Sequence, residues 1–532
     1  MDSSPIELFG RSSSEPLSLR EVTARLHPED NVAIAKRSLQ AGLVLQTTSG
    51  RKLAVQQLVP AGHKIALREI GAGDAVRRYG QTIGFAREPI SPGQHVHSHN
   101  VGLKDFSRDY AFCQDARPTA YIPEADRRSF MGFQRASGRV GTRNTIAVIG
   151  SVNCSAHGCH EITRHFTAER LASYPNVDEV IALTHDEGCG GVHSGTRDYA
   201  MLQRTLAGMA RHPNVGATVL VGLGCEINQL NDLIERQQLD DETAVAPELV
   251  SLVIQDLGGI GPTVQAGIAA IDDLLPAVNA VQRSSQPVSE LTIALECGGS
   301  DSWSGITANP LVGLVSDALI RQGGTVVLAE TPEVYGVEHL LTRRAISPEV
   351  GQKLLDKIDW WQAYLRDRGV EFDNNPGPGN KAGGLSNIVE KSLGAIVKSG
   401  STNLVDVYDY AEQIERRGFV FMDTPGYDPV SVTGMVAGGC NLVLFTTGRG
   451  SVFGFKPAPS IKISTNSPTF ERMPGDMDFD AGRVLEKDGS LETLAAELFD
   501  LIVDVASGAP SRSEAQNVGT LEFVPWRSGP IV

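Results

Sequence analysis

Three patterns of apolar and polar positions follow one another along the chain. Residues 1 to 28 are polar and Ser-rich, and they read as a mobile leader. From Asn31 to Asn100, short strand-like runs (NVAIA, GLVLQTT, RKLAVQQLV, HKIALREI, QHVHSHN) alternate with turns such as Pro60-Ala61-Gly62 and Ser91-Pro92-Gly93. This predicts a small all-β module over 29–104. Residues 105–130 show no period, include Pro118 and Pro123, and read as a linker. Beyond them, apolar runs rich in β-branched residues (TIAVIG, VDEVIALTH, ATVLVGLG, LTIALE, GTVVLAE, GFVFMD, NLVLFTTG) alternate with helical patterns such as RDYAMLQRTLAGMARH and LETLAAELFDLIVDVAS. Wholly apolar strands alternating with amphipathic helices predict mainly parallel sheets covered by helices. The extent is large for one sheet. The expected fold class is therefore α/β: an N-terminal all-β module followed by two α/β domains, 131–290 and 291–532.

Charge and composition narrow the partners. Lys and Arg total 47 and Asp and Glu 63, a net charge of −16, which argues against nucleic acid. With 41% hydrophobic and 21% charged residues the chain is of globular type, not disordered. The N-terminal residues lack the apolar stretch of a signal peptide, and no window of about 18 apolar residues offers a membrane span. A cytoplasmic protein is expected. Seven scattered cysteines make a poor disulfide framework and fit reduced thiols.

Candidate chemistry gathers at the strand ends, where open parallel sheets bind ligands. TIAVIG leads into Cys154, VIALTH into His185, Asp186, Glu187 and Cys189, VLVGLG into Cys225 and Glu226, and LTIALE into Cys297, Ser300 and Asp301. The four cysteines recur at 35, 36 and twice 36 residues, in phase with a βα repeat. The phase predicts four thiols on one crevice, able to bind a soft metal or a cluster. The competing reading makes each a small buried apolar residue. NNPGPGNKAGG, residues 374–384, can present backbone N–H groups and Lys381 to a carboxylate or phosphate, yet it is neither a P-loop nor a dinucleotide fingerprint. FTTGRGS sets Arg449 between glycines, a planar fork suited to carboxylates. In QHVHSHN, a strand would put His95, His97 and His99 on one face, with His63 able to join them. Such imidazoles suit a divalent metal like Fe(II), and the competing reading is a polar surface strand.

Several segments resemble a known family. GHKIAL, RRYGQTIGFA and HVHSHN are similar to a SAF (β-clip) domain. VGLGCEINQ, ECGGSDSWSGITANP, NPGPGNKAGGLSNIVEKSLG, DTPGYDPVSVTG and GCNLVLFTTGRG resemble the altronate and galactarate dehydratase family, over roughly residues 30 to 530. THDEGCGG departs from the aromatic-before-Gly-Cys form of that pattern. The resemblance implies dehydration of a sugar acid to a 2-keto-3-deoxy acid, with D-altronate as the expected substrate and galactarate as the alternative. A non-catalytic sugar-acid binding protein is the reading from another class. The implied cofactor is Fe(II) or another divalent metal, with an iron–sulfur cluster as the alternative. It has two competing homes, His63, His95, His97 and His99, or Cys154, Cys189, Cys225 and Cys297. His185, Lys381, Arg449 and Asp301 are the expected catalytic residues, with His185 as base and the two cations holding the carboxylate. Ser300, Asn309, Asn380, Thr447 and Gly448 are expected to bind substrate. Cys440 begins a strand and lies outside the cysteine phase. The expected partners are a small anionic sugar acid and, in a homo-oligomer, further copies of the chain.

Overall fold

The strand-and-turn pattern of the first hundred residues becomes three small sheets. The computed structural model describes residues 17–47, 49–104, 108–240, 249–486 and 489–529. One antiparallel sheet runs in the order β1 (Thr23–Ala24), β2 (Val32–Ala35), β3 (Lys64–Ala66) and β4 (His95–Val96). Val22, Ala33, Ala35, Leu45, Val59 and Ile65 belong to its small core. Residues 17–28 are therefore not a leader: Val22 is buried in that core, and Thr23–Ala24 pair with β2. Leu17 and Leu19, with Val22, pack against this core. Residues 1–16 of the expected leader lie outside the described residues.

Contacts divide the chain into two units, Met1–Phe106 with Asn375–Glu390, and Ser107–Asn374 with Lys391–Val532. The Gly-rich segment thus completes the β module. Lys64 Nζ donates to both carboxylate oxygens of Glu390 at 2.9 Å, and Arg78 Nη1 donates to the same carboxylate at 2.5 Å. All three side chains are buried. Burial alone would push the Glu390 carboxyl up, but Lys64 and Arg78 outweigh it and hold it down at about 2.

The second unit carries two wholly parallel sheets. The smaller comprises β5 (Thr145–Gly150), β6 (Glu179–Leu183), β7 (Val215–Gly222) and β8 (Leu249–Val253), in the order β6-β5-β7-β8. It packs with helices α1 (Ala156–Arg164), α2 (Arg197–Ala210) and α3 (Ile260–Ala280). The larger comprises β9 (Thr292–Cys297), β10 (Thr325–Leu328), β11 (Leu404–Tyr408), β12 (Phe419–Met422), β13 (Leu442–Thr447), β14 (Ser460–Ser464) and β15 (Phe479–Asp480). Its order is β11-β12-β10-β9-β13-β14-β15, flanked by α4 (Ala308–Arg321), α5 (Asp428–Ala437) and α6 (Leu491–Ala506). The chain leaves β9 to one side for β10 and returns to its other side as β13. The carboxyl ends of β9 and β13 therefore flank a topological switch point, where such sheets bind ligands.

The smaller sheet's last strand ends at Val253 and the larger sheet's first begins at Thr292, but the two sheets share a core. Ala147, Ile149 and Leu220 of the smaller sheet share one apolar cluster with Ala294, Val327 and Phe445 of the larger. The α/β reading holds, with both sheets in one unit. The expected linker is also no free tether from residue 108 onward: Cys113 N–H donates to Thr342 O, Asp115 pairs with Arg343, and Ile122 N–H donates to Arg321 O. No helix among the described residues is long and apolar enough to cross a membrane.

Candidate active site

Acids that lie far apart in sequence meet at the end of the larger sheet. Glu296 and Cys297 close β9, so strand alternation sends them to opposite faces. Glu330 and Glu333 follow β10, and Asp428 opens α5. Donor atoms of Cys297, Glu330 and Glu333 lie within 4.8 Å of one another, as do those of Glu296, Glu330 and Asp428. The Cys297 thiol donates to Glu330 Oε2 and Glu333 Oε2 at 3.5 Å each. Lys391 Nζ donates to Glu333 at 2.5 Å and Lys398 Nζ to Glu330 at 3.3 Å. Ser431 Oγ donates to Glu296 Oε2 at 2.7 Å.

Local backbone is shaped to this cluster. Glu330 takes φ +63° and ψ +61°, a left-handed conformation costly for a residue with a Cβ. A Cβ at Gly298 would stand 2.3 Å from Asp428 Oδ2, so glycine lets that carboxylate lie against the end of β9.

The electrostatics are those of too much negative charge in too little water. Burial and then the neighbouring Glu330 push Glu296 well above the usual carboxylate range, and burial with Glu333 raises Glu330. Burial and Glu330 push Asp428 up to about 7. Burial would lower both lysines, but Glu333 raises Lys391, and Cys297 with Glu330 raises Lys398, so both remain ammonium ions. Four carboxyl groups face two ammonium groups, and no amide, hydroxyl or cationic donor among the described residues reaches the buried Glu296 Oε1 or Glu330 Oε1. Extra protons or a divalent cation would balance the excess, and the oxygen-rich donor set fits such a cation.

The histidines form a second donor group, in the β module. His63, His95 and His97 place ring nitrogens within 4.8 Å of one another. His63 Nε2 lies 3.2 Å from Ala382 O and its Nδ1 lies 2.9 Å from His95 Nε2. Donation to the carbonyl fixes the His63 tautomer and turns Nδ1 towards its neighbours, a usual arrangement for a metal-binding imidazole. Burial pushes His95 down to about 3 and His97 to about 4, so the rings are neutral, and His97 Nδ1 has no partner among the described residues. They do not share a strand face, however. The strand ends at Val96, and a turn held by the Asn100 side chain brings His97 back. His99 is exposed and outside the triad, its ring 5.3 Å from that of His95.

The expected four-thiol crevice brings only Cys154 and Cys189 into thiol–thiol contact among the described residues. The thiols of Cys154 and Cys189 lie 3.8 Å apart, and the Cys225 thiol accepts from Gln255 Nε2 at 3.4 Å. Burial, Cys154 and Cys225 push the Cys189 thiol up to about 11. Cys297 does not join them, because β9 starts the other sheet; its interval of twice 36 crosses from one sheet into the next.

Other expected site residues are tied up structurally. His185 Nδ1 accepts the Glu187 N–H at 3.2 Å, which puts the ring proton on Nε2. The buried ring is neutral, pushed down to about 4, but has no free lone pair for a general base. Asp301 accepts from Trp303 N–H, Ser304 N–H, Thr465 Oγ1 and Asn466 Nδ2, which makes it the organiser of its loop. Gly448 packs against it so closely that a Cβ would stand 2.2 Å from the Asp301 carboxyl carbon. Asn309 spends its side chain on Gly394 O and Thr446 Oγ1, and Thr447 Oγ1 accepts the Gly450 N–H. Ser300 is buried beside Asp301. Arg449 follows on the same loop, exposed, with no guanidinium partner among the described residues. The Gly-rich segment is not an open anion cradle: Pro378–Ala382 is helical, and the Lys381 and Gly383 N–H groups bond to Gly377 O and Gly379 O. Asn380 Oδ1 accepts the Gly377 N–H, whereas the Lys381 ammonium has no partner among the described residues.

Sequence reasoning missed Glu296, Glu330, Glu333, Asp428, Lys391 and Lys398. The signal available was an acid at or just beyond the ends of two apolar strands, and at the first position of a helix.

Fold and site together describe an α/β protein whose acids and lysines gather at the end of a parallel sheet, as in enzymes of this architecture. Comparison with known proteins gives the family. The chain matches the SAF domain of altronate/galactarate dehydratases over 22–104. It matches the second domain of D-galactarate dehydratase/altronate hydrolase over 132–279, and the C-terminal domain of D-galactarate/altronate dehydratase over 288–531. An altronate dehydratase of Bacillus subtilis is 37% identical over 486 residues, 91% of this chain and 95% of that protein. An altronate dehydratase of Escherichia coli is 36% identical over 514 residues, 95% and 99% of the two chains. A galactarate dehydratase (L-threo-forming) of E. coli is 36% identical over 488 residues, 91% and 92%. The chain belongs to the altronate/galactarate dehydratase family.

Proposed function

We propose that this chain is a sugar-acid dehydratase, a carbon–oxygen hydro-lyase acting on D-altronate to give 2-dehydro-3-deoxy-D-gluconate and water. The observation that carries this reading is the buried group of Glu296, Glu330, Glu333 and Asp428 with Lys391 and Lys398 at the larger sheet's end. Full-length similarity to two altronate dehydratases supports the substrate.

Elimination takes a weakly acidic proton from C2, expels hydroxide from C3, and leaves an enol that tautomerises to the ketone. Asp428, the least buried of these acids, takes the C2 proton on its carboxylate. Glu296, held protonated by its surroundings, gives a proton to the departing C3 oxygen, so water leaves. Lys391 and Lys398, fixed as ammonium ions, offset the negative charge that grows on the substrate carboxylate as C2 loses its proton. Arg449, exposed and without a guanidinium partner among the described residues, offers a planar fork to that carboxylate.

Both donor sets fit a divalent cation, and the acid cluster has the stronger case because its charge is unbalanced. Glu330, Glu333 and Cys297 would hold the ion, leaving Asp428 free for the proton. Bound there, Fe(II) or another divalent metal supplies Lewis acidity towards a substrate oxygen.

The test is turnover. Protein purified without oxygen should form a 2-keto-3-deoxy acid from altronate, with galactarate and sulfolactate as comparison substrates, each with and without Fe(II). Failure on all three defeats the dehydratase reading and favours a binding protein. Preference for galactarate moves the assignment to the diacid.

A further inference from the structure

The loop from Asp423 to Tyr427, between β12 and α5, holds a side chain with no part in the chemistry above. Thr424 lies two residues beyond β12, the strand next to β10, and is fully buried. Its hydroxyl oxygen accepts the Glu330 N–H at 2.8 Å, and its carbonyl accepts the Thr331 N–H at 2.9 Å. The same hydroxyl donates to Ser431 Oγ at 3.0 Å, and Ser431 Oγ donates to Glu296 Oε2 at 2.7 Å. Pro425 O, at 3.2 Å, is the longer of the hydroxyl's two acceptors. Ser431 sits in the first turn of α5, the helix that Asp428 opens. A Cβ at Gly426 would stand 3.1 Å from Glu333 Oε1, so the loop also runs past the fourth acid.

We propose that Thr424 is a positioning residue of the acid cluster: its one hydroxyl fixes the main chain of Glu330 and, through Ser431, the Glu296 carboxyl and the turn that presents Asp428. The inference rests on the reading of that cluster as the site of dehydration. Glu330 stands at φ +63°, a conformation that persists in a residue with a Cβ only where the surroundings over-determine it. The pairing of β10 with β12 ends at Leu328 and Phe421, so the ladder offers the buried Glu330 N–H no acceptor. Thr424 supplies one, and an amide left without it would bear the full cost of its burial. Asp423 secures the loop in turn. It accepts from Thr331 Oγ1 at 2.7 Å, Trp361 Nε1 at 2.8 Å and Arg197 Nη2 at 3.0 Å. With Ser431 on Oε2, Glu296 keeps Oε1 for the departing C3 oxygen. Thr424 has its lone pair and its proton both engaged by protein, so it acts through the acids and not on the substrate.

Amide hydrogen exchange resolved to single residues of the full chain reads the clamp, and steady-state kinetics on altronate read its consequence. Thr424→Val keeps the shape of the side chain and removes the hydroxyl, whereas Thr424→Ser keeps the hydroxyl. The Glu330 amide should be protected in the wild type and in Thr424→Ser, and should exchange about tenfold faster or more in Thr424→Val. In Thr424→Val kcat should fall about ten- to a hundredfold with KM unchanged, and Thr424→Ser should recover it. Ser431→Ala cuts the second link alone: Glu330 should stay protected while kcat falls, and this variant carries the test if Thr424→Val does not fold. Unchanged protection of Glu330 in Thr424→Val overturns the proposal. So does a wild-type kcat in Thr424→Val or in Ser431→Ala, or a Thr424→Ser variant as slow as Thr424→Val. Exchange is read without substrate. If the wild type dehydrates no sugar acid, the functional reading fails, and the Glu330 amide still decides whether Thr424 holds the cluster.

Discussion

Cys297 and Glu330 meet across the ends of two adjacent strands, the thiol of β9 donating over 3.5 Å to the carboxylate that follows β10. A cysteine expected among other thiols thus belongs to the acids. Because Glu330 is common to both donor groups, it is the residue through which the cluster is joined.

Asp428→Asn keeps the shape of the side chain but removes its basicity. Loss of a positioned general base costs typically 10²–10⁴-fold. kcat should fall within that range while the thermal midpoint changes little. A variant with normal turnover would remove Asp428 from the proton-transfer role.

Arg449 is exposed and its guanidinium has no hydrogen-bond or ion-pair partner among the described residues, so its replacement tests substrate capture with little disturbance of packing. A hydrogen bond to a charged group is worth about 1.5–3 kcal/mol, roughly ten- to a hundredfold in affinity. Arg449→Ala should raise KM by about that factor, and Arg449→Lys, lacking the fork, should restore only part of it. Steady-state kinetics on altronate decides between capture and an idle surface residue.

Metal removal should abolish turnover, and Fe(II) should restore it. Glu330→Gln should lower the metal content of this site and prevent the restoration, whereas His97→Ala should leave activity recoverable. Elemental analysis beside the assay separates the two homes; the opposite pattern would move the catalytic ion to the histidines.

Glu390 is the counter-charge of two buried cations. Glu390→Gln leaves Lys64 and Arg78 uncompensated, and breaking a buried pair in this way costs about 3–5 kcal/mol. The pH dependence has a definite sign. The folded carboxyl is held at about 2 against an ordinary value of 4.5, so its stabilising contribution is complete above about pH 4.5. It is lost as pH falls through about 2. Acid unfolding followed by far-ultraviolet circular dichroism should show the wild type losing this advantage over Glu390→Gln as the pH drops.

Strands were legible because parallel sheets bury both faces: TIAVIG and NLVLFTTG read as apolar runs and are wholly buried in β5 and β13. The placement of Cys154, Cys189 and Cys225 on neighbouring loops was legible for the same reason, since β5, β6 and β7 are neighbouring strands of one sheet and their loops repeat at one period. The acid cluster was not. Glu330 and Asp428 are brought to β9 by strand order and by the start of a helix, and neither leaves a local pattern. His99 failed differently: the alternation assumed a strand that ends at Val96, where Asn100 captures the backbone of a turn, and it is this turn that carries His97 into the triad. The role of Glu390 in the β module was equally hidden, because an ion pair 326 residues apart in sequence has no period.

That ion pair also orders events during synthesis. Domains emerging from the ribosome generally fold as units, N-terminal first. Here the β module leaves first, yet the carboxylate for Lys64 and Arg78 follows the entire smaller sheet and the first two strands of the larger one. A nascent chain that has just finished residue 104 therefore holds two cations with no anion to bury them against. The module must wait, incompletely closed, for a piece of chain made much later, and a nascent-chain stalling series should show its protease resistance appearing only after Glu390 has emerged.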